Sequence, residues 1–360
     1  MTGAEDERGR PSAWEAAWRV LAPATDLVTP MAVRVAATLG IADLLSAGPL
    51  PAAELARQSG ADPEVLTWLL RHLTGRGVFA EPEPGVFALN EPAELLVSDH
   101  PAAMRAWLDL EGFGGRMDLA FTGLLHTTRT GEPAWETVFG APIWTYLAQN
   151  PGMGASFDAA MATGAEYVAD AAGAFDWTAV RHVVDVGGGT GGFLAHLLRT
   201  HPHLRGTLVD LPETAARGRE HLAGLGDRCT VSGQSFFDPL PAGADVYVLR
   251  RVIHDWPDAD AARILRRCAE AAGTASAADA AGRVLLIESP STSDGDPAAF
   301  AEMCLRMLVI GGGRERTIEE FATLAASAGL ELATTRRTPL GQIVLTLIPE
   351  PTRPSAVRGT

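Results

Sequence analysis

The stretch that most constrains this chain is Val183-Val184-Asp185-Val186-Gly187-Gly188-Gly189-Thr190-Gly191-Gly192-Phe193. A short apolar run ends in an acid, and a cluster of glycines follows at once. The cluster runs straight into an amphipathic segment, Phe193 to Arg199. That order predicts a strand, a tight turn and the start of a helix. Glycines at such a turn let the backbone reach positive φ and let a ligand come close. The helix start offers unpaired N–H groups.

Gly187, Gly189 and Gly192 fit G-x-G-x-x-G, a pattern unspecific by itself. Asp210 closes a second apolar run, Thr207-Leu208-Val209, eighteen positions after Gly192. A carboxylate there can hold ribose hydroxyls, which NAD and S-adenosylmethionine both carry. Asp185 separates the two. A dinucleotide sets its pyrophosphate on the glycine turn, where a carboxylate two residues earlier repels it. S-adenosylmethionine has no phosphate, and its sulfonium and ammonium are attracted. The residues therefore favour S-adenosylmethionine over a dinucleotide or an unliganded βα turn.

A length of 360 residues predicts two domains, and 47% hydrophobic content is ample for a packed core. The net charge of −15, from 29 basic and 44 acidic residues, argues against a nucleic acid or an anionic membrane as partner. Cys229, Cys268 and Cys304 are far apart, so no metal site and no disulfide framework is expected. No apolar run approaches the roughly 20 residues of a membrane span. Met1 to Pro11 is polar and lacks the apolar region of a signal peptide. A cytoplasmic protein is expected.

Residues 1–12 read as disordered, being rich in charge, Gly and Pro. Residues 13–100 read as a helical, winged-helix dimerisation domain. Within it, Leu27 to Leu39 is apolar nearly all round, as in a helix buried in a core or an oligomer interface; a dimer interface is favoured. Ala52 to Ser59, then Asp62 to Arg76 with Asp62 as N-cap and Pro63 as first residue, are helices. Val78-Phe79-Ala80, the turn from Glu81 to Gly85 and Val86 to Leu89 form a hairpin wing. A wing that met phosphates would be basic, whereas this tip carries two Glu.

Residues 101–178 read as a helical linker and pocket segment that holds most of the large flat side chains. Ordinary core packing explains many of them. Phe157 and Met161, just upstream of the glycine turn, are candidates to line a pocket for a flat aromatic ligand. Residues 179–349 alternate strand and helix, which predicts an α/β fold with a mostly parallel sheet. Strands are expected at 182–187, 205–210, 228–232, 244–249 and 283–288. Leu330 to Thr335 and Ile343 to Leu347 add a hairpin, so the last strand is antiparallel. Residues 350–360 read as a loose tail. Ligands sit at the carboxyl ends of such strands, here Asp185, Asp210, Ser235, Arg250 and Glu288.

His254 follows the fourth strand, in Arg250-Arg251-Val252-Ile253-His254-Asp255-Trp256. Methyl transfer from a sulfonium is an in-line displacement, so donor and acceptor must be aligned. A phenol attacks far better as phenolate, and a positioned histidine can take its proton. Glu288 and Glu315 are candidates to orient that ring; Glu315 can alternatively serve as a helix N-terminal charge.

Together these residues resemble the small-molecule O-methyltransferases of the plant caffeic-acid type and their bacterial polyketide-tailoring relatives, from about Leu27 to Leu347. Asp185 to Gly191 is similar to the family's cofactor loop, and Val209-Asp210-Leu211-Pro212 to its ribose-binding turn. His254-Asp255-Trp256 is similar to the segment with its general base, and Gly312 to Thr317 to the one with an orienting glutamate; Glu288 falls where the family has a second. Thr29 to Leu39, Asp99 to Ala103 and Phe175 to Val183 look closest to methyltransferases of anthracyclines and related polycyclic quinones. The resemblance implies a Rossmann-like methyltransferase domain, a homodimer joined through the N-terminal domain, no metal, and a phenolic hydroxyl on a fused aromatic as acceptor. It implies that Ser235, Phe236 and Arg250 join the cofactor site, and that Trp256, Met303, Met307 and Ile310 line the acceptor pocket.

Three positions depart from the family. Ser235 and Cys304 stand where many relatives have aspartate, and Ile310 where plant members place a polar contact. Some quinone-tailoring relatives have become decarboxylases or hydroxylases while keeping the cofactor. Retention of His254 points to methylation. A winged-helix regulator that senses the cofactor is the non-enzyme alternative.

Overall fold

The computed structural model describes residues 13–162, 164–274, 282–289 and 296–350. The expected disordered start and the tail after residue 350 lie outside the described residues. The chain divides into two compact units after Arg116.

In the first unit, helices Ala13–Thr25 and Val28–Thr38 precede helices Ala52–Ser59 and Pro63–Gly75. Asp62 caps the last of these, its carboxylate accepting from the N–H groups of Glu64 and Val65. Strands β1 (Leu50–Pro51), β2 (Ala80–Glu83) and β3 (Val86–Ala88) form a small sheet in the order β1-β3-β2. The wing is thus present, with Glu81 and Glu83 inside a strand and not in the turn. Leu55, Leu66, Leu70, Leu73, Phe79 and Phe87 build its core.

Helix Val28–Thr38 is not buried all round. Only Ala32, Ala36 and Ala37 are buried, while Val28 and Met31 remain exposed. Ala13–Thr38 is also long and apolar enough to cross a membrane by length and composition alone, with 17% of the window buried. Sequence reading found no such run, because Arg19, Asp26 and Arg34 interrupt it. The structure carries helix through most of that span.

The second unit is built on a seven-stranded sheet. Its strands are β4 (His182–Val186), β5 (Arg205–Asp210), β6 (Cys229–Gly233), β7 (Val246–Arg250), β8 (Arg283–Glu288), β9 (Leu330–Arg337) and β10 (Ile343–Pro349). Their order is β6-β5-β4-β7-β8-β10-β9, with β4 to β8 parallel and β10 antiparallel to both neighbours. The closing hairpin therefore inserts its second strand against β8 and leaves β9 at the edge. Val183, Val184 and Val186 are fully buried, as expected of a parallel strand covered on both faces. Asp245 fixes the start of β4 beside β7 by accepting from the N–H groups of Arg181 and His182.

The direction of winding reverses between β4 and β7. β4 leads outward to β5 and β6, and the chain then returns to β7 and β8. The carboxyl ends of β4 and β7 meet at that point, where ligands of such sheets bind. Helix Asp258–Ala272 covers one face through Ile264, Leu265 and Cys268, at helical spacing.

Candidate active site

Gly187, Gly189 and Gly191 have φ of 67°, 61° and 85°, which β-carbons disfavour. Close approach constrains the turn as well. A Cβ on Gly187 would lie 3.0 Å from Val252 Cγ2 and 3.3 Å from Phe236 Cε1. One on Gly191 would lie 2.7 Å from Leu222 Cδ1, whereas the space beside Gly189 is open. The Gly189 N–H donates to Asp210 Oδ2 at 2.8 Å, and Leu211 N–H donates to Oδ1 at 2.8 Å. Asp210 is thereby aimed at the turn with lone pairs to spare. Burial pushes its carboxyl up to about 6.

Asp185 lies beneath the turn and is 1% exposed. Neither of its oxygens makes a close hydrogen bond, although the Leu194 N–H favours the ionised form. Burial pushes its carboxyl up to about 7, against the pull of Arg250. Arg250 ends β7 and its Nε is likewise buried without a partner. Ser235 uses its Oγ to accept from the Phe237 N–H at 3.2 Å.

His254 sits in a single 3-10 turn, Ile253–Asp255, and is 4% exposed. Its Nδ1 is 2.9 Å from Glu315 Oε1 and 3.8 Å from Glu288 Oε2. Once the ring is neutral, Nδ1–H donation to Glu315 sets the tautomer and leaves Nε2 to accept. Glu288 Oε1 accepts from the Ile253 N–H at 3.1 Å, while Oε2 has no partner. Burial disfavours the charged ring, but Asp255, Glu288 and Glu315 outweigh it and raise His254 to about 9. Burial raises Glu288 to about 7.

The 311–317 loop reaches His254 because its glycines allow it. A Cβ on Gly313 would lie 2.1 Å from the His254 carbonyl oxygen, and one on Gly311 2.9 Å from that of Asp255. Thr317 and Glu320 form the capping box of helix Ile318–Ser327. The helix end is thus satisfied without Glu315, which is free for the histidine.

Sequence reading gave no individual role to three residues here. Asp255 Oδ1 is 3.4 Å from His254 Nε2. Arg316, 1% exposed, donates to the carbonyls of Ile253 at 2.9 Å and Trp256 at 2.7 Å and to Asp258 at 2.7 Å, and so staples the two loops. Trp144 stacks on Trp256 with centroids 5.8 Å apart and planes at 14°. Asp255 carried a signal as the neighbour of a candidate base. Trp144 lay among the flat side chains of the pocket segment, though its partner was not read, and Arg316 is brought in by long-range packing and had no signal.

The predicted pocket residues are only partly brought together. Phe157 meets Trp144 edge-on at 5.7 Å, and Phe236 meets Trp256 at 5.6 Å. Met303, Met307 and Ile310 share one face of helix Pro297–Gly311, which leads into the glycine loop. Met161 is 42% exposed at the end of its helix, outside this ring cluster. A surface cleft of about 540 Å³ lined by Asp258, Arg314 and Glu319 contains none of the predicted site residues.

Residues 121–331 match the O-methyltransferase domain, and residues 24–99 the O-methyltransferase dimerisation domain. The chain belongs to the O-methyltransferase family. Among its relatives is the 2,7-dihydroxy-5-methyl-1-naphthoate 7-O-methyltransferase of Streptomyces carzinostaticus, 49% identical over 85% of this chain and 90% of the relative. Another is the aclacinomycin 10-hydroxylase RdmB of Streptomyces purpurascens, 46% identical over 86% of this chain and 83% of the relative. A crystal structure of an O-methyltransferase from neocarzinostatin biosynthesis, in complex with S-adenosylmethionine and 2-hydroxy-5-methyl naphthoic acid, has a TM-score of 0.84 at 44% identity. It covers 91% of this chain and 98% of that one.

The site fits the family's S-adenosylmethionine. The open space at Gly189, the ribose-side carboxylate of Asp210 and the buried carboxyl of Asp185 suit a cationic nucleoside. Among the described residues no cluster suited to a metal ion occurs.

Proposed function

We propose that this O-methyltransferase methylates a phenolic hydroxyl of a polycyclic aromatic natural product, of the anthraquinone or anthracycline type. The observation that carries the reading is the His254–Glu315 pair at 2.9 Å, backed by Glu288 and set at the carboxyl edge beside the glycine turn. S-adenosylmethionine supplies the methyl group and leaves as S-adenosylhomocysteine. His254 is the general base: Nε2 takes the phenol proton as the new O–C bond forms and the S–C bond breaks. Glu315 holds the ring by Nδ1, and Glu288 adds negative charge behind it and braces the turn through Ile253. Gly187, Gly189, Gly191, Asp210, Ser235, Phe236 and Arg250 hold the cofactor, and Asp185 acts on its positive charge from beneath the turn. Phe157, Trp256, Met303, Met307 and Ile310 line the acceptor pocket, joined by Trp144; Met161 borders it.

The dimerisation domain and the exposed apolar face of Ala13–Thr38 support a homodimer. The chain's acidity supports neither nucleic acid nor membrane as partner. Three unpaired cysteines fit the cytoplasm.

The test is mass spectrometry of protein, S-adenosylmethionine and a panel of hydroxylated anthraquinones, naphthoic acids and catechols. A gain of one methylene on a polycyclic phenol is expected, falling by about 10²–10⁴-fold in His254→Ala. The second reading, decarboxylation or hydroxylation, draws on the aclacinomycin hydroxylase relative. Loss of carbon dioxide or gain of oxygen without methylation would select it.

A further inference from the structure

Phe157 stands on helix Pro151–Met161, whose start is Pro151-Gly152-Met153-Gly154. Two glycines in the first turn make this a poor helix by local preference. It is held from outside. The next residue after Phe157 is Asp158, a carboxylate only 6% exposed. Asp158 Oδ2 accepts from Arg217 Nε at 2.6 Å and lies 2.6 Å from Nη2. Arg217 Nη2 also donates to Thr214 Oγ1 at 3.2 Å. Gly154 makes room for this: a Cβ there would lie 3.2 Å from the Leu147 carbonyl and 3.6 Å from Arg217 Nη2.

Arg217 belongs to helix Pro212–Leu222, which begins directly after Asp210 and Leu211. Its neighbour Gly218 packs on the glycine turn; a Cβ there would lie 3.6 Å from the Thr190 carbonyl and 3.7 Å from that of Gly189. One ion pair thus ties the helix that braces the nucleoside site to the helix that presents the aromatic wall. Both charges also reach Asp210, Asp158 raising its carboxyl and Arg217 lowering it. Asp158 is buried and Arg217 half-buried, so removing the arginine would strand the carboxylate. The proposed methyl transfer has no proton step for this pair to perform.

We propose that Asp158 and Arg217 form a latch between the two ligand sites, so that cofactor and acceptor bind cooperatively. They are positioning residues and act through Phe157 and the glycine turn. The inference rests on the O-methyltransferase reading above.

Isothermal titration of the full-length protein with S-adenosylhomocysteine, with and without a dihydroxynaphthoic acid, tests it. In the wild type each ligand is expected to tighten the other by about fivefold or more, and by the same factor. Asp158→Asn keeps the shape and removes the charge. It should abolish the synergy and raise acceptor KM about tenfold, with kcat changed less than about threefold. Arg217→Lys, which keeps a cation, should restore part of the synergy. Absence of synergy in the wild type overturns the latch, whether or not any variant folds. So does a folded Asp158→Asn protein with full synergy and unchanged KM. A wild type that binds S-adenosylhomocysteine yet yields no methylated product would instead sink the O-methyltransferase reading.

Discussion

In the free protein the ring of His254 is held charged, because Asp255, Glu288 and Glu315 together outweigh the penalty of burying it. Such a ring takes no proton until the pH nears about 9. Since kcat/KM reports the free enzyme's groups, it is expected to climb with pH through neutrality and level off near that value. Glu315→Gln removes one of the three charges. Its plateau should begin at lower pH and be lower in height, because Nδ1 also loses its ionic partner; an unshifted profile would take Glu315 out of this role. The same raised value sets a stability window. It exceeds the unfolded histidine's roughly 6.5. The contribution of His254 is therefore complete below about 6.5 and is lost as pH rises through about 9. Asp185 titrates in the opposite sense for binding. Its carboxyl stands near 7 through burial, and a sulfonium nearby favours the ionised form. S-adenosylmethionine should bind more tightly as pH rises from 6 to 8. S-adenosylhomocysteine, which lacks the sulfonium, should change less. Equal pH dependence of the two dissociation constants would remove Asp185 from charge recognition. Asp185, Asp210, His254, Glu288 and Glu315 could all be named from sequence, because each sits beside a strand end or a glycine turn. Arg316 could not, since its partners lie far along the chain, and Trp144 could be named as a flat side chain of the pocket segment but not as the partner of Trp256.

At the scale of elements, the proposed catalytic geometry depends on two loops meeting backbone to backbone. Gly313 sits where any side chain would strike the His254 carbonyl. Gly313→Ala is expected to cost about 1–3 kcal/mol of stability, typical of overpacking, and to lower kcat more than cofactor affinity, since it displaces Glu315. Thermal unfolding and S-adenosylhomocysteine titration on one preparation separate the two effects. Thr317→Ala makes a useful contrast. It removes the capping box next to the same loop and should cost about 1 kcal/mol, with a smaller fall in kcat. The strands of the large sheet were legible to within two residues, because buried β runs such as Val183 to Val186 carry both apolar continuity and flanking turns. The hairpin Leu330–Pro349 was legible too, but its insertion order was not. Nothing local says that β10 lies inside β9. That choice belongs to the burial of Ile343, Val344, Leu345 and Leu347, which only the assembled sheet decides.

At the scale of the whole molecule, the first unit presents Trp14, Trp18, Leu21, Leu27 and Val28, each at least 46% exposed, on one apolar stretch. Exposed apolar surface of that kind marks an association site. Light scattering after size exclusion is expected to give twice the chain mass of 37.8 kDa. Trp18→Glu should shift the protein toward monomer, and a monomeric wild type would remove the homodimer from the reading. The acidic wing was readable from Glu81 and Glu83, and the structure adds that Glu81 pairs with Arg71 at 3.1 Å. The membrane-length stretch was overlooked because its apolar residues are spread over helices separated by Asp26 and Leu27. The placement of β10 bears on how a ribosome would deliver this molecule. Glu288, proposed to brace His254, is paired with Ile343, and β8 has an open edge until residues 343–347 emerge. Nascent chains holding every other site residue would still lack the neighbour that steadies this one. Glu288 therefore gains this strand neighbour only after residues 343–347 are made, and a chain stopped a few residues past Leu340 is expected to leave it on an open sheet edge.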